Sequence, residues 1–179
     1  MNIVALGREH TDALIEFFGR LLAEDLTLMR EDVTEPDTVR GWADRPAHWV
    51  ALDDAVVVGF AAVRPLPSWS DHVGELRLVV DSAHRRAGIG RTLARHALTD
   101  AVRAGRRKVV VELAADQEHA LAMFGSLGFE GEALLRDHIR DRQGNLRDLI
   151  MLAHFVDHTW ASMDTIGVSA ELGLEESAR

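Results

Sequence analysis

The sequence predicts a single mixed α/β domain, and three observations carry that reading. The chain has 179 residues, within the roughly 100–200 residues of one domain. Of these, 47% are apolar and 27% charged, a balance that excludes disorder and fibrous repeats and suffices for a sizeable core. Short apolar runs of strand type then alternate with segments of helical spacing along most of the chain, the order expected of helices packed on a sheet.

Residues 3–6 are short and apolar and read as a first strand. Thr11 or Asp12 then caps a helix whose Leu14, Phe18, Leu21 and Leu22 recur at helical spacing. Residues 24–36 are polar with scattered apolar positions, and Pro36, preset for a first helical turn, starts a short helix through Trp42. Residues 48–52 and 56–63 are strands joined by the hairpin signal Asp53-Asp54. Pro65 and Pro67, which cannot donate to a ladder, end the second of them, and residues 74–80 form another strand. Residues 88–104 give the clearest helix: Ile89, Leu93, Ala97 and Ala101 beside Gly90, Ala94, Leu98 and Val102 make two apolar rows, and Gly105 stops it. Residues 109–113 read as a buried strand and 117–127 as a helix ended by Gly128. Residues 133–140 and 146–154 are the arms of a hairpin around Asp141-Arg142-Gln143-Gly144-Asn145. The domain is expected to span residues 1–158, leaving a small polar tail at 159–179 that frays or docks as a helix.

Composition narrows the chemistry. The absence of cysteine excludes disulfides, thiolate metal sites and a cysteine nucleophile, and there is no tyrosine. A net charge of −9 disfavours nucleic acid and suits cationic partners, so the run Arg103, Arg106, Arg107, Lys108 reads as a solvated helix end. The longest apolar run, 55–63, is far shorter than a membrane span, and no basic leader precedes an apolar stretch, so a cytoplasmic protein is expected. His154 and His158 lie four apart but straddle a strand end without an intervening glutamate, and no metal is expected. Trp69, Asp71 and Asp44 sit in polar segments, where Asp71 or Asp44 could hold a cationic acceptor, although solvated carboxylates fit as well.

One segment carries more. In residues 74–91 a strand leads through Arg85-Arg86-Ala87-Gly88-Ile89-Gly90-Arg91 into a helix that begins at its glycines. The first amides of a helix lack intrahelical partners and its dipole places positive charge there. Glycines admit close backbone approach and three arginines add charge, so the segment suits a pyrophosphate. No Gly-Lys-Ser/Thr follows, and Leu93 stands where a dinucleotide fingerprint needs its third glycine. An arginine-bearing helix start with glycines for packing would look the same.

Arg85-Arg86-Ala87-Gly88-Ile89-Gly90 resembles the Arg/Gln-x-x-Gly-x-Gly/Ala signature of the GNAT family, the GCN5-related N-acetyltransferases, and Leu78-Val79-Val80 resembles the strand before it. Ala120-Leu121-Ala122-Met123-Phe124-Gly125-Ser126-Leu127-Gly128-Phe129 is similar to the family's later helix end, so the resemblance covers roughly residues 1–156. It implies a central mixed, mostly antiparallel sheet flanked by helices, with acetyl-CoA as donor substrate and no metal. Pyrophosphate would sit on the amides of residues 86–91, and pantetheine between the strand of Leu78, Val79 and Val80 and that of residues 109–113. The amide of Val80 would face the acetyl carbonyl. A primary amine, on a small molecule or a peptide, would attack directly, and homodimers are common in the family. Two positions depart from the pattern: Phe124 replaces the helix-end tyrosine that protonates the thiolate, and Gln117 replaces an asparagine. Phe124 motivates a second reading, a CoA-binding module of weak catalysis. For the base, Glu112 matches the glutamate of N-terminal acetyltransferases in the family. Glu75 matches that of histone-type members but lies one residue out of register, which by strand alternation turns it to the other face unless a bulge intervenes.

Overall fold

The computed structural model describes residues 1–43 and 45–156. Expectations for Asp44, His158 and the tail at 159–179 lie outside the described residues. Among the described residues, seven strands form one sheet in the order β1-β2-β3-β4-β5-β7-β6. They are β1 (Asn2–Ala5), β2 (His48–Asp53), β3 (Val56–Pro65), β4 (Val73–Val80), β5 (Lys108–Ala114), β6 (Glu130–Arg140) and β7 (Leu146–Phe155). Of these strands only β4 and β5 run parallel, so the sheet is mixed and mostly antiparallel. The helices are α1 (Thr11–Arg20), α2 (Pro36–Arg40), α3 (Ile89–Arg103) and α4 (Glu118–Gly125). Among the described residues no helix is long and apolar enough to cross a membrane.

Side-chain alternation splits the core into two layers. On one face Leu76 of β4 and Val109, Val111 and Leu113 of β5 pack with Leu93, Ala97 and Ala101 of α3 and Phe124 of α4. On the other, Val50, Phe60 and Val79 meet Leu14, Phe17 and Phe18 of α1 and Trp42 just past α2, whose indole stacks on Phe60 at 5.2 Å. Small residues bring α3 close to the sheet. A side chain at Gly59 would fall 2.8 Å from the Leu93 Cδ1 and 3.3 Å from the Ile89 Cγ2, so glycine there lets the start of α3 settle over β3.

Some boundaries differ from expectation, each for a local reason. Neither Thr11 nor Asp12 caps α1. A 3-10 turn, Arg8–His10, leads straight into it, with His10 at the cap position and no side-chain capping bond. The helix ends at Arg20, so Leu22 is exposed and Phe17 takes its place in the core. β3 extends through Pro65, opposite Gly74. The hydrogen-bonded positions alternate through Leu66, whose amide reaches the Val73 carbonyl at 2.9 Å, so Pro65 sits where no donor is required. β6 is longer than expected because two register shifts, at Gly131/Ala133 and Leu135/Ile139, let it keep pairing with β7.

Candidate active site in the β4–β5 cleft

The parallel pairing of β4 and β5 runs only from Val73↔Lys108 to Leu76↔Val111. Beyond it, β4 stays paired to β3 as far as Val80, and β5 to β7 as far as Ala114. The strands therefore part, and the ladders show which peptide groups face the gap. The Asp81 amide reaches the Val58 carbonyl at 3.1 Å, which with the Leu66–Val73 bond assigns residues 73, 75, 77, 79 and 81 to β3. Leu78 and Val80 consequently turn their peptide groups toward β5. The bonds of Ala115 to Asp148 and of Val156 to Arg107 assign the odd residues of β5 to β7, leaving Glu112 and Ala114 for the gap. Ala114 is satisfied locally by Gln117, whose side-chain oxygen accepts its amide at 3.3 Å and whose own amide donates to its carbonyl at 3.0 Å.

At the mouth of the gap the chain leaves β4 through Asp81, which is buried and takes the Arg20 guanidinium at 2.8 Å and the Ala83 amide at 3.0 Å. The bond to Arg20 holds its carboxyl below the ordinary carboxylate range. Arg86 and Gly88 then both adopt left-handed backbone, with φ of 64° and 78°. The first helical bond of α3 is that of the Thr92 amide to the Gly88 carbonyl at 3.0 Å. Among the described residues, the amides of 86–91 have no backbone acceptor outside the helix. Glycine at 88 answers a conformational demand, since a Cβ there would meet nothing within 4 Å.

A cavity of about 750 Å³ fills the gap, within the range of small-molecule sites. Of the residues expected from sequence, Glu75, Leu78, Val79, Val80, Arg85, Arg86, Gly88, Ile89, Gly90, Arg91, Glu112, Gln117 and Phe124 line it, and Ala87 does not. Trp69, exposed in its 3-10 turn, and Asp71 lie outside it. Phe124 is buried edge-on against Phe129 at 5.2 Å between ring centres. The turn holding them closes with the Phe129 amide on the Phe124 carbonyl and Gly128 in left-handed backbone. The His154 ring is also committed, its Nδ1 3.1 Å from the Gly128 carbonyl. Among the described residues no group of three or more metal-ligating side chains is placed to hold an ion.

The two glutamates correct the expectation that alternation turns Glu75 away. β4 keeps an unbroken register with β3, so no bulge is present, and Glu75 still shares the face of Glu112. The parallel pairing decides this: Glu75 lies opposite Val110, and Glu112 is two residues further on, hence on the same side. Between the two carboxylates sits Arg30, its Nη2 2.7 Å from both Glu112 oxygens and its Nε 3.4 Å from Glu75. Burial works against the charge of Arg30, but Glu112 and Glu75 outweigh it and raise its pKa. Arg77 also pairs with Glu75 and donates to the Leu28 carbonyl at 2.7 Å; burial lowers its pKa. Sequence reading missed Arg77, Arg30 and Asp25, the last of which pairs with Arg85. The alternation of Glu75 and Arg77 among Leu76 and Leu78 was the available signal for Arg77. Asp25 and Arg30 lie between α1 and α2, in a segment whose spacing points nowhere.

Comparison with known proteins agrees with this geometry. Residues 15–129 match the model of the acetyltransferase (GNAT) family. N-acetyltransferase family 8 member 3 of Rattus norvegicus is 40% identical over 85 residues, 46% of this chain and 37% of that protein. The chain spans less than half the length of the curated relatives it matches. Solved structures share the fold, among them the following two. Ribosomal-protein-alanine N-acetyltransferase from Brucella melitensis has a TM-score of 0.77 and 23% identity, covering 87% of this chain and 99% of that one. The yncA protein of Salmonella typhimurium, solved with its cofactor acetyl-CoA, has a TM-score of 0.77 and 20% identity, covering 88% and 94%.

Proposed function

The chain belongs to the GNAT acetyltransferase family, and from that premise we propose that it moves an acetyl group from acetyl-CoA to a primary amine by direct attack. The observation that carries this reading is the parting of β4 and β5 beyond Leu76 and Val111, with the amides of 86–91 at its mouth. Acetyl-CoA supplies an activated thioester at the end of an arm that carries two amides and leads to a pyrophosphate, and the residues present fit these three parts. The left-handed Arg86 and Gly88, the start of α3 and the side chains of Arg85, Arg86 and Arg91 would hold the pyrophosphate. Leu78 and Glu112 offer peptide groups from facing strands, as a bound strand would require. The Val80 amide is aimed into the same gap, where it can donate to a developing oxyanion.

Glu112 acts as the base. It lies just beyond the last paired residue, Val111, where the cleft opens, and its partner Arg30 is exposed and displaceable, whereas Glu75 lies opposite Val110 in the closed part and is tied to the largely buried Arg77. A carboxylate there accepts the proton of the incoming ammonium, directly or through water, which a neutral nucleophile requires. No tyrosine stands ready as the acid, because Phe124 presents only a ring. A thiol with pKa near ~8.5 leaves as thiolate without one and takes its proton from water. Phe124 also keeps a second reading in view, in which the chain binds CoA and catalyses weakly. The test is release of free thiol from acetyl-CoA across a panel of primary amines, with products read by mass spectrometry. Amine-dependent release with an acetylated product is expected, and tight CoA binding without any release would favour the second reading.

A further inference from the structure

Residues 21–35 join α1 to α2 without a strand or α-helix of their own, and they are tied to the cleft by charges that mimic its ligands. Asp25, with a side chain only 10% exposed, pairs with Arg85, the arginine at the anion cradle. Its other oxygen, Oδ2, is buried without a hydrogen-bond partner. Arg30 lies across Glu112 and Glu75, as an acceptor ammonium would, although its own side chain is 59% exposed. Between them the Leu28 carbonyl accepts from Arg77 at 2.7 Å. An acidic group thus stands where the donor's phosphates would go, and a basic group where the acceptor's cation would go. Both belong to one segment, five residues apart.

Resting on the acetyltransferase reading, we propose that this segment occupies both halves of the site with its own charges, so that donor binding at Arg85 releases Asp25 and thereby loosens Arg30 from Glu112. Two anchors on one short tether each raise the effective concentration of the other. Losing the first therefore weakens the second. The donor binds first and opens the carboxylates to the amine, and Arg30 admits only acceptors cationic enough to displace it. The second oxygen of Asp25 favours the exchange, since a half-satisfied buried carboxylate gains little from staying in place.

Linkage is reciprocal, which makes the proposal testable without knowing the acceptor. Freeing the Arg30 end must tighten CoA at the Arg85 end. Simple electrostatics predicts the opposite, because removing a cation near a polyanion weakens binding. Calorimetric titration of CoA into the full chain should give an affinity about 3–10-fold tighter for Arg30→Gln and Arg30→Met than for the unsubstituted chain. Asp25→Asn should tighten it by roughly tenfold, with little more gained in the double variant. Hydrogen exchange in the unsubstituted chain should speed up at residues 24–30 when CoA is added. Unchanged or weaker CoA binding in the Arg30 variants, or slower exchange at 24–30, would overturn the tether while leaving the acetyltransferase reading intact. If the unsubstituted chain does not bind CoA at all, both fall together.

Discussion

Up to Leu76 and Val111, β4 and β5 form a closed parallel seam; past them the same two strands each keep only their outer neighbour and leave a gap. The joined part carries apolar side chains on the helix-covered face and is buried at Leu76, Val109 and Val111. The parted part keeps the apolar row toward α3, and on the other face, where Glu75 already stands in the joined half, Arg77 and Glu112 stand either side of the opening. Parallel strands hold together when both faces are buried and every peptide group is paired. Past that seam the Leu78 peptide groups and the Glu112 carbonyl have no partner strand, and these are the groups that a molecule presenting amides of its own would pair with under the proposed function. One pair of strands therefore serves as scaffold over half its length and lines the candidate site over the other half.

The largest expected effect falls in the parted half. Glu112→Gln should lower turnover by roughly 10²–10⁴ without weakening acetyl-CoA binding, and raising the pH should recover part of the loss, because more acceptor arrives unprotonated. Steady-state kinetics beside calorimetry read both. Retained activity in Glu112→Gln with none in Glu75→Gln would move the base into the joined half.

Leu76→Ala tests the seam. The side chain is 1% exposed, and its truncation should cost about 2–5 kcal/mol in urea unfolding, with the KM for acetyl-CoA little changed. A variant of native stability that loses donor binding would show that the seam belongs to the site.

At the mouth of the gap, Arg85→Ala should weaken CoA binding by about 1–3 kcal/mol through the lost charge-assisted bond. Gly88→Val should do so as well, because its φ of 78° strains any residue with a Cβ. Calorimetry of both variants measures this, and wild-type affinity in Gly88→Val would remove the cradle from the mechanism.

The two halves should also differ in acid. His154, opposite Val109 in the joined half, is held below 6.5 by burial. The unfolded chain therefore binds more protons as pH falls below about 6.5, and stability declines from there toward the lower folded value. His48 behaves alike, also through burial. Asp81, at the end of the parted half, is instead lowered by its bond to Arg20, so its contribution persists above 3.8 and is lost only as pH falls further. Urea midpoints should drift down between pH 7 and 5, and His154→Gln should flatten part of that drift. The smallest effect belongs to Phe124→Tyr, which should raise turnover only a few-fold, below the usual worth of an acid catalyst, because the thiolate already leaves without one. An unchanged rate would mean that the hydroxyl does not reach the sulfur.

Local chemistry made much of this molecule legible. The helix α3 could be read from its two apolar rows, the hairpins from Asp53-Asp54 and the Asp141–Asn145 loop, and the start of α3 from its glycines, because each depends on residues adjacent in sequence. Glu112 stood out as the charge interrupting a buried strand. Three features escaped local reading. The face of Glu75 depends on how β4 registers with β5, a strand that begins more than thirty residues later. The opening of the cleft depends on where that pairing stops. Asp25 and Arg30 meet their partners only because an irregular segment folds across β4, 60 residues from Arg85 and 82 from Glu112 respectively. Periodicity and capping are short-range and belong to the sequence. Register between parallel strands and charge pairing across a cleft are long-range, and the packed chain alone decides them.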